Sequence, residues 1–295
     1  MLTEFYRKFI PLSLRSKIYD AFLGRLLLFK RNFKENAKSK FIFLFHWLLP
    51  KTEKNKVYAY MGRYGLTSYP YKYAREYKNI EIAIKYDLDR KLPFVVHNGK
   101  KLFFPEFYDA KKITKDYRNL LIEQDIRSAH RYVRSYDELK DKILLDIGSA
   151  EGIFALDTIE LVSHAYLFEY EDYWFASLEA TFAPWKNKVT LVKKFVGEQT
   201  NETNTTIDDF LKDKNKDNLF LKMDIEGAEQ SALSGSLNTL RSGRNIKLAV
   251  CTYHKKEDPG IISNLMSSLG YSFEFTEGFM YWQKRLSKGI IRCHN

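Results

Sequence analysis

Ile143-Leu144-Leu145-Asp146-Ile147-Gly148-Ser149-Ala150-Glu151-Gly152 is the stretch that decides the fold. Its opening is an apolar run of the kind that fills a buried strand, stopped by Asp146 and by a turn containing two glycines. Glycine lets the backbone turn tightly and approach a ligand with no side chain in between. From Ile153 to Val162 the apolar residues follow the spacing of a largely buried helix. The turn therefore joins a strand to a helix, which is the arrangement of a nucleotide-binding crevice in an α/β sheet.

The following run, Ala165-Tyr166-Leu167-Phe168, reads as the next strand and ends in Glu169. An acidic side chain at that offset is suited to a ribose diol. The candidate cofactor contacts are thus Asp146, Gly148, Ala150, Glu151, Gly152, Glu169 and Tyr170, with Asp172 beside them. Gly148 and Gly152 stand four positions apart and no G-x-G-x-x-G is present, so a nicotinamide dinucleotide is the less suitable guest. No acidic residue directly follows the third strand.

A second stretch, Lys222-Met223-Asp224-Ile225-Glu226-Gly227-Ala228-Glu229, comes after the apolar run Leu219-Phe220-Leu221. This string resembles the FkbM-type methyltransferase family. Thr205 to Phe210 is similar to the family's segment before the fourth strand, and Cys251 to Asp258 to its fifth strand end. The resemblance runs from about Tyr117 to Trp282. Glu123 to Tyr132 and Thr181 to Trp185 are similar to a subgroup associated with bacterial surface-polysaccharide genes, although Ala129 stands where that subgroup has proline. The resemblance implies a Rossmann-like class I methyltransferase with a mostly parallel seven-stranded sheet. It also implies S-adenosyl-L-methionine as cofactor, and O-methylation of a sugar hydroxyl in a surface glycan or lipid-linked precursor.

The chain has 295 residues, 45% of them hydrophobic, enough for one substantial core and an appendage. Its net charge of +11 is concentrated near the start, where residues 1–60 hold 13 Lys and Arg against 4 Asp and Glu. The remainder is nearly neutral, so a uniformly basic catalytic face is not indicated and no nucleic-acid partner is expected. The two cysteines, Cys251 and Cys293, form no readable disulfide framework and fit a reducing cytoplasm.

Basic and large apolar residues are mixed in Phe22 to Arg31, and the apolar run Phe41 to Leu49 follows; neither run is long enough to span a bilayer. Met1 to Leu12 does not read as a signal peptide, because Glu4, Arg7 and Lys8 interrupt it. Residues 1–50 suit peripheral contact with an anionic membrane at its inner face. They suit better helices packed on the catalytic domain with their lysines in water, because apolar helical faces are usually core.

We read residues 1–117 as a basic, largely helical and then mixed N-terminal extension, and 118–295 as the catalytic domain. Strand-like Phe94-Val95-Val96 and Lys101 to Phe104 flank an Asn98-Gly99 turn. In the second region strands and helices alternate, which implies parallel strands covered on both faces. Two final strand-like runs, around Tyr271 to Phe275 and Phe279 to Trp282, are expected to close the sheet antiparallel.

Transfer of a methyl group to a hydroxyl needs alignment of donor and acceptor and a base for the hydroxyl proton. Asp224 and Glu226 follow the fourth strand and His254 the fifth, at the carboxyl ends where such sheets bind ligands. His254 suits the base because its ordinary pKa is near neutrality, with Asp224 or Glu226 orienting it. Glu229 is read as a cap or a pairing residue. The same carboxylates offset a sulfonium charge equally well. The spacing of Asp224, Glu226 and His254 does not define a closed metal site, and no metal is expected. His130 and Arg131 are secondary candidates for covering the donor or meeting an acidic sugar. Two other readings compete. A non-catalytic scaffold would bind a membrane or a glycosyltransferase complex through the basic N-terminus. A nicotinamide-dependent sugar oxidoreductase would need the missing dinucleotide fingerprint.

Overall fold

The structure, a computed structural model, describes residues 24–295, with side chains from residue 32 onward. The reading of Met1 to Leu12 lies outside the described residues. The described residues divide into two compact units, one ending at residue 70 and one spanning 71–295.

In the first unit, helix α1 (Gly24–Leu44) is followed by α2 (Glu53–Tyr64). Thr52 caps α2 by accepting a hydrogen bond from the Asn55 backbone N–H at 3.2 Å. The helices touch at Gly62, where a Cβ would stand 2.2 Å from the Ser39 carbonyl oxygen. Only glycine allows that approach. Among the described residues, no helix is long and apolar enough to cross a membrane.

The second unit opens with an antiparallel sheet of β1 (Ile84–Asp87), β2 (Leu92–His97) and β3 (Lys100–Phe103). As expected, Asn98 and Gly99 turn the chain between β2 and β3, both at positive φ, which suits the twist of a two-residue hairpin. His97 anchors the hairpin. Its Nδ1 lies 2.8 Å from the Tyr117 hydroxyl on α3 (Ala110–Glu123), and its Nε2 lies 2.8 Å from Asp157 Oδ1. Tyr136 donates to the other Asp157 oxygen at 2.6 Å, so this buried carboxylate is paired on both sides.

The alternation then runs β4 (Ile143–Ile147), α4 (Ile153–Thr158), β5 (His164–Phe168), α5 (Asp172–Phe182) and β6 (Val189–Val192). A short pair, β7 (Phe195–Val196) and β8 (Asn204–Thr205), and α6 (Ile207–Phe210) lead to β9 (Leu219–Met223). After α7 (Glu229–Ser234) and α8 (Leu237–Ser242) come β10 (Lys247–Cys251), α9 (Asp258–Ser268) and β11 (Ser272–Phe275).

The seven-stranded sheet has the order β11, β14, β10, β9, β4, β5, β6, in which β14 is Ile290–His294. β10, β9, β4, β5 and β6 are parallel, and β14 is antiparallel to both of its neighbours. This is the expected Rossmann-like class I methyltransferase fold. The chain runs from β4 outward through β5 and β6, then returns to place β9 on the other side of β4. That reversal opens a crevice at the carboxyl ends of β4 and β9. Leu145, Leu221, Val250 and Ile291 fill the core between the layers.

The antiparallel closing strand differs from the one expected at Phe279 to Trp282. That run becomes β12 (Met280–Trp282), paired with β13 (Arg285–Ser287) in a separate hairpin turned by Gln283 and Lys284 at positive φ. The two-residue turn at Gln283 and Lys284 cuts the run short. The strand that enters the sheet is the longer Ile290–His294, preceded by Gly289, where a Cβ would stand 1.9 Å from the Ala129 carbonyl oxygen.

Candidate active site

The first glycine turn is built by conformations that its residues require. Gly148 and Gly152 both have φ of 80°, and a Cβ on Gly148 would stand 2.1 Å from the Asp224 carbonyl oxygen. β4 and the turn after β9 are therefore in backbone contact, and the two motifs share one crevice. Ala150 also has positive φ, and its N–H donates to Glu169 Oε2 at 3.0 Å. The other Glu169 oxygen accepts from the N–H groups of Tyr170 and Glu171 at 2.8 and 2.9 Å. Glu169 thus sits beside the turn at the end of β5. The Tyr170 ring stacks on Phe195, 3.9 Å between centroids.

Asp146 is buried at the end of β4, and Lys222 Nζ lies 3.0 Å from its Oδ1. Its Oδ2 is buried with no hydrogen-bond partner. Lys222 also donates to the Gly148 carbonyl, so one buried cation fixes both the carboxylate and the turn. Burial disfavours charge on Lys222, but Asp146 and Asp224 outweigh it and hold the ammonium well above the ordinary lysine range. Glu151 is buried in the same turn, and burial pushes its carboxyl up to about 8. A cavity of about 220 Å³ opens here, with Phe104, Leu120, Glu123, Glu151 and Trp174 in its wall.

The second motif gathers acid and base. His254, 4% exposed, lies just beyond β10, and its Nδ1 is 2.8 Å from Glu229 Oε1. Glu229 is fully buried and accepts at the same oxygen from the Ile225 N–H at 3.0 Å. That pairing makes Nδ1 the protonated nitrogen of the neutral ring. Nε2 has no hydrogen-bond partner, and it faces Asp224 Oδ1 and Glu226 Oε2, each 3.7 Å away. Burial lowers the imidazole pKa, yet the hydrogen bond to Glu229 and the charges of Glu229, Asp224 and Glu226 raise it overall above its ordinary value.

Asp224 is held from the other side. The Tyr132 hydroxyl donates to its Oδ2 at 2.7 Å, and His130 Nε2 lies 3.4 Å from the same oxygen. Burial works against its ionisation, but His130, Lys222 and His254 keep it well below the usual carboxylate range. His130 Nε2 also lies 3.0 Å from the Tyr253 hydroxyl. Glu226, at a left-handed φ of 54°, is the exposed member of the set.

The β12–β13 hairpin closes one flank. Arg285 donates to the carbonyls of Tyr253 and His254 at 2.9 and 2.7 Å, and the Trp282 ring meets the Tyr253 and His254 rings edge-on. Arg131 turns away: its guanidinium donates to the Val133 and Gln124 carbonyls and to the Tyr136 hydroxyl. A larger cavity of about 530 Å³ has Tyr132, Phe220, Lys247 and Leu248 in its wall, near the amino ends of β9 and β10.

Geometry therefore brings Asp224, Glu226 and His254 together and places Asp146, Gly148, Ala150, Glu151, Gly152, Glu169 and Tyr170 around the adjoining turn. It corrects the orientation of His254: the ring's hydrogen-bonding carboxylate is Glu229, while Asp224 and Glu226 stand beyond hydrogen-bond range. The turn Ile225 to Ala228 folds back, so Glu229 returns beneath His254. Lys222 and Tyr132 were missed as well. A lysine inside the buried run Leu219 to Met223 was the available signal, because a buried cation requires a partner.

The ligand atoms of Asp224, Glu229 and His254 lie within 4.8 Å of one another. With Nδ1 engaged by Glu229, the ring offers only Nε2 toward the crevice.

A family model, the Methyltransferase FkbM domain, matches residues 71–273. Among solved structures, the chain is similar to methyltransferase FkbM from Methylobacillus flagellatus KT, at 19% identity and a TM-score of 0.43 over 64% of this chain and 56% of that one. It spans little more than half the length of that protein. It is also similar to precorrin-6y C5,15-methyltransferase from Geobacter metallireducens GS-15, at 13% identity and TM-score 0.36, covering 54% of this chain and 84% of that one. A candidate methyltransferase from Streptococcus mutans, solved in complex with SAH, matches at 11% identity and TM-score 0.36, covering 54% and 94%. The search of curated proteins gives no match. On the extent of the family match, the chain belongs to the FkbM methyltransferase family.

Proposed function

We propose that this protein is an S-adenosyl-L-methionine-dependent O-methyltransferase acting on a sugar hydroxyl in a surface glycan or a lipid-linked glycan precursor. The observation that carries the reading is His254, buried, fixed at Nδ1 by Glu229 and without a hydrogen-bond partner at Nε2, close to the glycine turn of the β4 crevice. Glycan as acceptor class, and the polysaccharide subgroup, rest on the resemblance of Glu123 to Tyr132 and Thr181 to Trp185.

The residues of the first motif suit the donor. Asp146 presents a buried oxygen without a partner, Gly148 and Gly152 keep the turn free of side chains, and Glu169 stands where a ribose diol would lie. Tyr170 would flank the adenosine, and Glu151 would face the cationic methionine end. When bound, S-adenosyl-L-methionine supplies a methyl carbon made electrophilic by the sulfonium.

His254 then serves as general base. Its Nε2 accepts the acceptor hydroxyl proton as the oxygen–methyl bond forms and the carbon–sulfur bond breaks, leaving a neutral thioether. Glu229 holds the ring in the tautomer with a free Nε2 and stabilises the imidazolium that results. Asp224 adds charge stabilisation for that imidazolium. A base so placed typically contributes about a hundredfold to ten-thousandfold. Trp282, partly exposed beside His254, offers aromatic surface to the apolar face of a sugar ring. We place the reaction in the cytoplasm.

The test is calorimetric titration with S-adenosyl-L-methionine, with NAD as the parallel control, followed by methyl transfer to lipid-linked and nucleotide-linked sugars. Donor binding that Asp146→Ala abolishes, and transfer that His254→Ala abolishes while donor binding persists, support the assignment. Binding of NAD alone, or equal turnover by His254→Ala, overturns it.

A further inference from the structure

The described part of the first unit exposes a run of large apolar side chains. α1 and α2 bury Ser39 and Ile42 on one side and Val57, Ala59 and Met61 on the other. Outside that seam, Phe33 is 56% exposed, Phe41 56%, Leu44 65%, Trp47 76% and Leu48 60%. Phe33, Phe41 and Leu44 recur on α1 at intervals of one or two helical turns, and the chain continues the stripe into Trp47 and Leu48. Lone exposed apolar residues are ordinary, but a continuous run that includes Trp and Phe marks an interaction surface.

Charge identifies the partner. Lys34 and Lys40 are exposed and interleave with the stripe, whereas Lys38 turns onto the Tyr58 ring, and residues 1–60 carry nine more positive than negative charges. A protein partner would require a shaped complement to this surface. A bilayer interface requires only apolar side chains at the acyl boundary and cations at the headgroups. The long lysine stems reach outward while their methylenes cover apolar surface.

We infer that residues 33–48 dock the protein peripherally on an anionic phospholipid bilayer, with Phe41, Leu44, Trp47 and Leu48 entering the interface and Lys34 and Lys40 meeting the headgroups. The inference is independent of methyl transfer and stands or falls without it. Of the two readings of the basic extension, it takes lipid contact.

The experiment is co-flotation of the full chain with vesicles of phosphatidylcholine alone and of equimolar phosphatidylcholine and phosphatidylglycerol. Two variants accompany it: Trp47→Ser with Leu48→Ser, and Lys34→Gln with Lys40→Gln. All four positions are exposed, and matching melting curves show that the fold is retained. The wild type is expected to float with the anionic vesicles and to be released as salt rises. The serine pair is expected to lose about tenfold or more in partitioning, and the glutamine pair about fivefold per lysine. Absence of flotation, or flotation that neither variant weakens, overturns the inference. So does concentration-dependent self-association that the serine pair abolishes while vesicles leave the protein unbound, because the surface would then serve a second copy.

Discussion

His254 Nδ1 lies 2.8 Å from Glu229 Oε1, and the two residues are both buried and 25 positions apart in sequence. This single contact determines which face of the imidazole is available. It leaves Nε2, facing Asp224 and Glu226, as the ring nitrogen without a hydrogen-bond partner, the one that the proposed mechanism uses.

If Glu229 fixes that tautomer, Glu229→Gln should lower kcat by about a hundredfold or more and leave donor affinity within roughly twofold. His254→Ala should lose at least as much. Single-turnover methyl transfer with a saturating donor, compared with donor titration, separates the two effects. A Glu229→Gln enzyme with normal kcat would show that the contact serves packing alone.

The same contact sets the pH profile. His254 must be neutral to accept a proton, and its environment raises its pKa above the ordinary value of 6.5. Activity should therefore be lost on the acidic side and recover as pH rises through a midpoint above 6.5. Glu229→Gln should move that midpoint down, because a charge that favours the imidazolium is removed. For stability the sign is opposite. The ion pair contributes below the unfolded-state pKa and is lost as pH rises through the folded one.

Glu151 gives an independent readout of donor binding. Burial pushes its carboxyl up to about 8, so it is mostly protonated at neutral pH. A cationic donor placed against it should draw the group into its ionised form and release a proton. Calorimetry in buffers of differing ionisation enthalpy should detect that proton near pH 7, and Glu151→Gln should abolish it. Between the ordinary value of 4.5 and about 8, the unliganded protein should lose stability with rising pH, because the unfolded state gives up the proton first.

Lys222→Met leaves Asp146 buried beside an apolar side chain. Removing one partner of a buried pair costs on the order of 3–5 kcal/mol. Urea denaturation should show a loss of that size, and donor binding should fall with it because Lys222 also holds the Gly148 carbonyl. Asp146→Asn with Lys222→Met should recover part of the stability.

The hydrogen bond from His254 to Glu229 also bears on metal chemistry. A carboxylate-held Nδ1 is equally compatible with metal ligation at Nε2, but with Nε2 acting as the base we expect transfer to continue unchanged after exhaustive chelation. Loss of activity restored by magnesium or manganese would instead assign Asp224 and His254 as ligands.

The sequence by itself determined the parts of this protein that are local along the chain. Asp146 to Gly152 and Asp224 to Glu229 announce strand ends because a few neighbouring residues set a turn, and glycine positions follow from backbone sterics. Alternating apolar runs gave the parallel sheet for the same reason, and the Asn98-Gly99 hairpin was legible from its two residues. The closing strand was misplaced because short apolar runs at the C-terminal end compete on equal terms. Only packing selects Ile290–His294 over Met280–Trp282.

Tertiary structure alone decided the chemistry within the crevice. Tyr132 meets Asp224 across 92 positions, and Lys222 reaches the Gly148 carbonyl across 74. Such contacts depend on which strands lie side by side, and here β9 returns to lie against β4. Sequence periodicity gives the face of a strand but not its neighbour, so it could nominate His254 without revealing that Glu229 orients it.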